Sequence, residues 1–520
     1  MQVKRIAVIG GGISGLSAAC YLHHERSLLS SSEQESVEFC LFEAGTRLGG
    51  VIETLSVDQL PSEARPSLQS GVPIVEKGAD NFATLMPDAL ELSRLVGADE
   101  MLIRPNQKSR LARVVARGEI YPIPEGFSLM QPTQLLPILR SPILSLAGKV
   151  RVLGEYFVSQ HVSDDDESLK SFATRRLGRE AFDRLVEPII GGIFTADAGL
   201  LSMKAAMPQF IEMERKFGGL IKAARSSAIS SATRFASSGS LESTSEKQLR
   251  QSSRKATGAR YDQFMAPRDG MNAWLRKIAS WLPVGIAHLN MNIDRMVLDQ
   301  DRRWCLLPSP EGSRSLSQAI YPFDGVIIAS PSKAAAKLLR DVDRELSESL
   351  AEIQYADSAV VCLCVERSEI SPEHHCFGIV VPRIEGRDCL AISLTSEKYP
   401  GRIASDKVLL RVFMGGAVRP DLMLKSDEEL SELAWREVQS LLHLKTKPNW
   451  KHVVRWPSAM PQYHVGHLDR LEALESRVNA LPNLALAGNA YRGVGIPQCV
   501  RSGKLAAQKI LSSLIGKSRP

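Results

Sequence analysis

The stretch KRIAVIGGGISG at residues 4–15 combines an apolar strand with a glycine-rich turn. The turn opens a helix that we predict over 13–25, and a second strand is predicted over 37–42. Gly10 permits the tight turn, Gly12 lets the backbone approach a pyrophosphate, and Gly15 lets the helix pack on the strand. The helix start adds backbone N–H groups that bind phosphate oxygens. This pattern predicts a βαβ dinucleotide site that includes Gly10, Gly12, Ile13, Ser14 and Gly15.

The composition is that of a folded protein with more than one domain. A chain of 520 residues is too long for a single core, and 44% hydrophobic with 23% charged residues is ordinary. The net charge of +6 is spread over the chain, which excludes a concentrated basic face for nucleic acid. The eight scattered cysteines, the start without an apolar leader and the lack of a long apolar run predict a cytoplasmic protein.

A second motif follows the second strand. Glu43 ends that strand, where its carboxylate would accept hydrogen bonds from a ribose diol; a solvated strand-end acid is the alternative. The run EAGTRLGG at 43–50 resembles the E-x-x-x-R-x-G-G continuation of the amine oxidase superfamily of flavoproteins. The resemblance implies FAD, held without a covalent bond. The implied contacts in this segment are Glu43, Ala44, Arg47, Gly49, Gly50 and Val51.

Distant segments extend the same resemblance. EKGADNF at 76–82 resembles the segment that runs beside the flavin ring, and GNAYRGVGIPQC at 488–499 resembles the one that closes the site. A helix predicted from Gln498 would point its positive N-terminal end at the flavin. The further cofactor contacts implied are Gly78, Ala79, Asp80, Asn81, Ile293, Gly488, Asn489, Val494, Gly495 and Ile496.

Within that superfamily the chain most resembles the protoporphyrinogen/coproporphyrinogen oxidase family. PIIGGIFTAD at 188–197 and APRDGM at 266–271 match segments of these enzymes, in addition to the two motifs that bind the nucleotide. The resemblance implies oxidation of a porphyrinogen in heme biosynthesis, with hydride transfer to flavin N5 and reoxidation by molecular oxygen to give hydrogen peroxide. The cofactor does the chemistry, so no catalytic side chain is nominated.

Four residues are the candidates for substrate contact. Arg110 lies where the family places an arginine toward a propionate, and a surface arginine is the alternative. Gly192 matches a glycine whose carbonyl faces the macrocycle. Phe377 and Met414 would pack on the porphyrinogen plane, although apolar residues on strands are more often core. The histidine and cysteine pairs lack metal-ligand spacing, so no metal is predicted.

Residues 126–160 are apolar but interrupted by Pro132, Pro137 and Pro142. Two interpretations stay open, and both can hold: short helices that cap a substrate cavity, and helices that lie on a membrane surface. Residues 226–258 are polar and low in large apolar side chains, which is typical of an insert without a core.

We therefore predict an α/β and α+β protein: a discontinuous Rossmann-like FAD domain, a mixed-sheet substrate domain and a helical subdomain that can associate with a membrane. A homodimer is left open. The FAD domain is assigned to 1–95, 263–330 and 480–516, the substrate domain to 96–115, 205–262 and 331–479, and the helical subdomain to 116–204.

Two other functions stay open at this point. A flavin amine oxidase on the same scaffold would need two aromatic side chains facing the flavin, and Tyr491 offers only one. A non-catalytic flavin-binding scaffold protein is the other alternative. The sequence also leaves open whether the substrate is protoporphyrinogen IX, with two propionates, or coproporphyrinogen III, with four.

Overall fold

A computed structural model describes residues 3–60, 73–106, 111–161, 163–226, 263–309 and 320–516. Two sequence predictions fall outside these ranges: the substrate contact of Arg110, and the insert 226–258 beyond its first residue. All eight cysteines lie within the described ranges as free thiols, and six of them are buried.

A five-stranded parallel sheet, with strands from both ends of the chain, forms the centre of one part of the fold. Its first two strands, Lys4–Ile9 and Val37–Phe42, have the bounds predicted from the sequence. The apolar run at 325–330 predicts a buried parallel strand, and strand Gly325–Ile328 lies next to the first one. Ile6 and Val8 face one layer of the core, whereas Ala7 and Ile9 face the other, as strand alternation requires. In spatial order the strands are Ala287–His288, Val37–Phe42, Lys4–Ile9, Gly325–Ile328 and Leu484–Leu486.

Two layers cover this sheet. One face packs against four helices, which are Ile13–Ser27, Asp88–Leu95, Met271–Ser280 and Ile496–Ile515. The other face packs against a three-stranded antiparallel sheet (Ile293–Leu298, Trp304–Pro308 and Ile320–Phe323) and the helices Ser332–Leu339, Arg344–Ala351 and His467–Ala480.

A seven-stranded mixed sheet forms the centre of another part of the fold. Its longest pairings are made by strand Tyr355–Glu366, which is antiparallel to both of its neighbours, and helix Asp427–Leu442 packs on one face of the sheet. Cys362 and Cys364 share the opposite face, as their spacing predicts. In spatial order the strands are Trp450–Pro461, Tyr355–Glu366, Lys407–Gly415, Ala391–Leu394, Gly378–Val380, Ala112–Ala116 and Glu119–Pro122.

A helical region packs beside the mixed sheet around its own core. A π-helix, Phe182–Val186, runs directly into Glu187–Phe194. None of the helices in the described ranges is both long enough and apolar enough to cross a bilayer. The other helices here are Leu135–Arg140, Leu146–Leu153, Leu169–Leu177, Arg179–Ala181, Met203–Ala206 and Pro208–Phe217.

The remaining elements are short. Helix Ser31–Glu35 lies in the polar loop after the first helix, and Thr395–Lys398 follows a strand of the mixed sheet. The small sheets join Phe82–Ala83 and Leu102–Ile103 to Phe264–Pro267, and Phe127–Ser128 to Gln131–Pro132.

The packing differs from the predicted boundaries in three places. The helices within 331–351 and 467–480 pack on the parallel sheet, although the sequence assigned them to the substrate domain. Strand Glu119–Pro122 belongs to the mixed sheet, although it was assigned to the helical subdomain. The last helix begins at Ile496 and not at Gln498, because Pro497 lies in the first turn, where its missing N–H costs nothing.

Candidate functional site

The first glycine turn is closed on two sides and open on the third. Gly10 has a φ of 108°, and a Cβ there would lie 2.8 Å from the Ala329 carbonyl oxygen. A Cβ on Gly15 would lie 1.8 Å from the Gly10 oxygen, so the helix can approach the strand only with glycine there. A Cβ on Gly12 would meet no protein atom within 4 Å. The Gly12 backbone is thus accessible to a ligand, next to the N-terminus formed by Ile13 and Ser14.

The second glycine turn lies directly against the first. The Gly49 N–H donates to the Gly11 oxygen at 2.8 Å, and a Cβ on Gly50 would lie 3.2 Å from the Gly12 Cα. Arg47 is turned into this segment: its guanidinium donates to the Gly50 oxygen at 2.6 Å and to a Glu53 oxygen at 2.7 Å. Arg47 therefore shapes the turn, while Val51, which is half exposed, lies beside it.

Glu43 joins the two turns through its side chain. Its carboxylate accepts the Gly11 N–H at 2.6 Å and the Gly45 N–H at 2.7 Å, while Ala44 between them is exposed. Each carboxylate oxygen keeps a free lone-pair direction, so a ribose hydroxyl can still bind. The Met291 N–H donates to the Glu43 carbonyl at 2.9 Å, which brings the segment ending at Ile293 to the same edge.

The C-terminal segment reaches this edge from the far end of the chain. The Gly488 N–H donates to Ser502 Oγ at 3.0 Å, and the Asn489 carbonyl accepts the Tyr463 hydroxyl. Val494 and Gly495 precede the last helix, which begins at Ile496. That helix packs closely on the first one, since a Cβ on Gly503 would lie 2.2 Å from the Ser14 oxygen.

Sequence reasoning missed Ser330 at the same edge. It follows strand Gly325–Ile328, and a Cβ on Gly10 would lie 3.1 Å from the Ser330 nitrogen. The Ser330 hydroxyl is buried without a hydrogen-bond partner in the described ranges, which is costly unless a ligand binds it. Its position at the carboxyl end of a buried parallel strand is the signal that could have found it.

A cavity of about 270 Å³ lies between the mixed sheet and the helical region. Most of its wall is apolar, and Phe377 is one of its lining residues. Gly192 also lines it, and a Cβ there would meet no atom within 4 Å. One edge is polar, with Asp80 and Asn81 beside Lys398. The apolar lining includes Ile123, Ile189, Ile193, Ile379, Ile392 and Phe413.

Met414 and Phe413 lie on opposite faces of one strand. Phe413 lines the cavity, whereas Met414 is fully buried in the core between the mixed sheet and its covering helix. The sequence predicts that Met414 faces the macrocycle, but the residue of this strand that lines the cavity is its neighbour. Phe413 therefore replaces Met414 as the candidate for substrate contact.

A buried charge group supports the segment 78–81. The Asp80 carboxylate lies 3.3 Å from Lys398 Nζ and 3.4 Å from Arg411 Nη1. Burial alone would raise the pKa of Asp80, but the two cations outweigh it and hold that pKa below its usual range. Arg411 also donates to the Gly78 carbonyl, and it is 1% exposed. Gly78 is itself confined, since a Cβ there would lie 2.8 Å from the Val51 oxygen, and Ala79 lies between it and Asp80.

A second carboxylate continues this group. Glu76 accepts the Met271 N–H at 2.9 Å and the Thr54 hydroxyl at 2.7 Å, and its oxygen lies 3.7 Å from Arg402 Nη1. Burial raises the pKa of Glu76. Neither Arg411 nor Lys398 was singled out from the sequence. An arginine inside the apolar strand VLLRVFM at 408–414 is the signal that could have found the first.

Comparison with known proteins identifies the family. The pattern of the family described as "Flavin containing amine oxidoreductase" matches residues 13–511. The chain belongs to this family. A flavin is accordingly its cofactor. The open Gly12 backbone, the Ser330 hydroxyl without a hydrogen-bond partner in the described ranges and the helix N-termini at Ile13 and Ile496 fit a dinucleotide.

Several members of the family resemble the chain along its whole length. Coproporphyrinogen III oxidase from Bacillus subtilis is 28% identical over 98% of this chain and 98% of its own. Protoporphyrinogen oxidase 2 from Arabidopsis thaliana is 26% identical over 98% of this chain and 94% of its own. A solved structure from Exiguobacterium, provisionally named a protoporphyrinogen oxidase, superposes with a TM-score of 0.78 at 25% identity, over 98% of this chain and 99% of its own.

Proposed function

We propose that this flavin-containing amine oxidoreductase binds FAD non-covalently and oxidises a porphyrinogen to the porphyrin in heme biosynthesis. The names of its full-length relatives support this reaction. The cavity is the structural observation that carries the proposal, because its broad apolar walls and single polar edge suit a tetrapyrrole with carboxylate side chains. FAD supplies a hydride acceptor at N5, and molecular oxygen then accepts the electrons to give hydrogen peroxide.

The protein's own part is to bind and orient both molecules. We assign the dinucleotide to the two glycine turns, Glu43 and the 488–496 segment, and the flavin ring to the strip formed by 78–81. Phe377 and Phe413 would pack on the macrocycle from the mixed sheet, while the backbone at Gly192 approaches it from the opposite wall. No side chain has to act as an acid or base in this scheme.

The direct test is aerobic turnover with each substrate. Purified protein is mixed with protoporphyrinogen IX or coproporphyrinogen III, and porphyrin fluorescence is followed together with hydrogen peroxide. We expect fluorescence to rise with at least one of them, with peroxide formed in proportion. Enzyme stripped of FAD serves as the control and should regain activity when FAD is added. Failure with both substrates would refute the proposal. Flavin that stays with the precipitated protein after acid treatment would refute non-covalent binding.

The amine oxidase alternative is weakened by the position of Tyr491. This side chain, the one aromatic offered for an amine-binding cage, is packed in the core beneath the parallel sheet. Peroxide released with amines, and none with either porphyrinogen, would restore the alternative.

Arg110 stays a proposal for propionate binding. A guanidinium binds a carboxylate through two parallel hydrogen bonds, so Arg110→Ala should raise KM and leave the flavin content unchanged. Arg340→Ala, which removes an exposed arginine from a distant helix end, is the matched control. An unchanged KM in the Arg110 variant would return that residue to the surface.

We further propose that the helical region rests on the membrane surface from the cytoplasmic side. Helices Leu135–Arg140 and Leu146–Leu153 bury Ile138 and Val152 in the core of this region. That core lies over the cavity, so the capping interpretation is part of the proposal. Apolar side chains on their outer face are exposed, and such a face can enter the headgroup region. These are Leu136 (55% exposed), Leu146 (79%), Val150 (61%) and, in the turn that follows, Phe157 (84%).

Vesicle flotation tests the membrane contact. The double variant Leu146→Ser/Phe157→Ser should lose binding to vesicles that contain anionic lipid, with unchanged thermal stability because both side chains are exposed. Leu424→Ser, at a side chain that is 91% exposed elsewhere on the fold, is the control. Equal flotation of all three proteins, or none for the parent, would contradict the contact.

A further inference from the structure

The polar edge of the cavity contains a cation whose position is fixed by the fold. Lys398 ends the short helix after strand Ala391–Leu394, which forms part of the cavity wall. Its carbonyl accepts the Asn106 N–H at 2.8 Å, and its side chain, 15% exposed, lines the cavity. The ammonium therefore faces the cavity from a rigid support.

The charges behind this lysine are not balanced. Within the described ranges the buried group contains three cationic side chains, Lys398, Arg402 and Arg411, and two carboxylates, Glu76 and Asp80. Arginine keeps its proton in proteins, so the excess positive charge persists. A buried charge without a partner is costly, and an anion that enters the cavity would remove that cost.

Lys398 is the cation of this group that can reach such an anion. Arg411 donates to the Gly78 carbonyl, and Arg402 donates to the Pro267 carbonyl at 2.9 Å, so both guanidinium groups are directed into the protein. The Lys398 ammonium lies 3.3 Å from Asp80 and has three N–H donors. It can therefore keep Asp80 as a partner and still donate to a ligand.

The rest of the cavity indicates the kind of anion. Most of its other lining residues are apolar, with Ser393 and Tyr399 as the neutral polar ones, so the ligand is a largely apolar body with a charged group at one edge. We infer that Lys398 forms a carboxylate-binding site that holds a propionate of the substrate. This inference rests on the proposed porphyrinogen oxidation and adds a residue that determines substrate orientation.

The experiment compares free-acid and methyl-ester porphyrinogens in two variants and the parent. Lys398→Gln removes the charge, and Lys398→Arg keeps it. For the free acid, Lys398→Gln should raise KM roughly 10- to 100-fold, the loss of one charge-assisted hydrogen bond, with kcat changed less than about 2-fold. Lys398→Arg should recover most of the affinity. With the ester, all three proteins should have similar KM values, because no carboxylate is left to bind.

Lys337→Gln, at an exposed lysine on another helix, is the control for lost charge and should match the parent. Equal KM increases for acid and ester in Lys398→Gln would overturn the inference, since Lys398 would then act only on Asp80. Some loss of thermal stability is expected in this variant, because Asp80 loses one of its two cations, so the ratio of the KM values for acid and ester is the deciding measurement. A parent enzyme that oxidises neither porphyrinogen would instead refute the proposed function.

Discussion

The proposed cofactor site and the proposed substrate cavity are built from different parts of the polypeptide. At the cofactor site the contacts are largely backbone: the Gly49 N–H bonds Gly11, and a Cβ on Gly15 would meet the Gly10 oxygen. At the cavity they are side chains from distant segments, such as Lys398 with Asp80, which are 318 residues apart in the chain. Where backbone segments pack as closely as at Gly10 and Gly15, an added methyl group would collide with neighbouring atoms. Where side chains form the wall, a single substitution can change which ligand binds.

The largest effect should come from a methyl group added to the first glycine turn. Gly15→Ala places a Cβ 1.8 Å from a backbone oxygen that cannot move freely, so the free energy of unfolding should fall by about 3 kcal/mol or more. Gly12→Val meets no protein atom near the backbone, so the protein should fold but bind flavin at least about tenfold more weakly. Thermal unfolding and bound-flavin absorbance measure the two effects. Normal flavin content in the Gly12 variant would refute the assignment of the turn.

Met414 and Phe413 are neighbours on one strand, and substitutions at the two positions should affect stability and substrate binding differently. Met414→Ala leaves a hole in the core and should lower the free energy of unfolding by about 2–5 kcal/mol, with KM unchanged. Phe413→Ala should raise KM for the porphyrinogen with a smaller loss of stability, because Phe413 lines the cavity. Denaturant unfolding and steady-state kinetics on both variants give the comparison. The reverse pattern would mean that the two faces of the strand are wrongly assigned.

A smaller, pH-dependent effect is expected next to Gly192. Glu187 lines a small pocket there, and burial raises its pKa to about 7, against a partly opposing hydrogen bond from the Arg383 N–H. The folded protein thus binds a proton more tightly than the unfolded chain does. The stability that protonated Glu187 contributes is fully present below the ordinary pKa of a glutamate carboxyl. It is lost as the pH rises to about 7.

The variant Glu187→Gln removes this titration. Relative to it, the parent should lose roughly 1–3 kcal/mol of stability between acidic pH and neutrality. Unfolding curves at a series of pH values measure the difference. Glu348→Gln, at an exposed carboxylate on another helix that pairs with Arg344 at 2.8 Å, is the control. Parallel pH profiles for parent and Glu187→Gln would show that the pKa of Glu187 does not change on folding.

The cofactor half of the site could be predicted because its constraints are local. A glycine with positive φ, such as Gly10 or Gly49, is needed at a fixed offset from a strand, and both the motif and the strand bounds are visible in the sequence. The helix after Gly495 begins at Ile496, two residues before the predicted start at Gln498, and Pro497 lies in its first turn, where proline is favoured.

The cavity could be predicted only in part, because it depends on which distant strands pair. Phe377 lies where the sequence placed it, whereas Phe413 and Met414 differ by one step of strand alternation that no local pattern decides. The positions of Lys398 and Arg411 depend on their contacts with Asp80 and Gly78, which lie more than 300 residues earlier in the chain. The helices at 332–351 pack on the parallel sheet, although the sequence assigned them to the substrate domain. Their amphipathic pattern predicts a buried face but does not indicate which of the two large sheets that face covers.

Anaerobic reduction of the bound flavin tests the central claim most directly. Protoporphyrinogen IX or coproporphyrinogen III is added without oxygen, and the visible absorbance of the flavin is followed. We expect at least one porphyrinogen to bleach the flavin of the parent enzyme, and Lys398→Gln to need a higher concentration of that substrate for the same rate. Flavin that stays oxidised with both porphyrinogens would contradict the account.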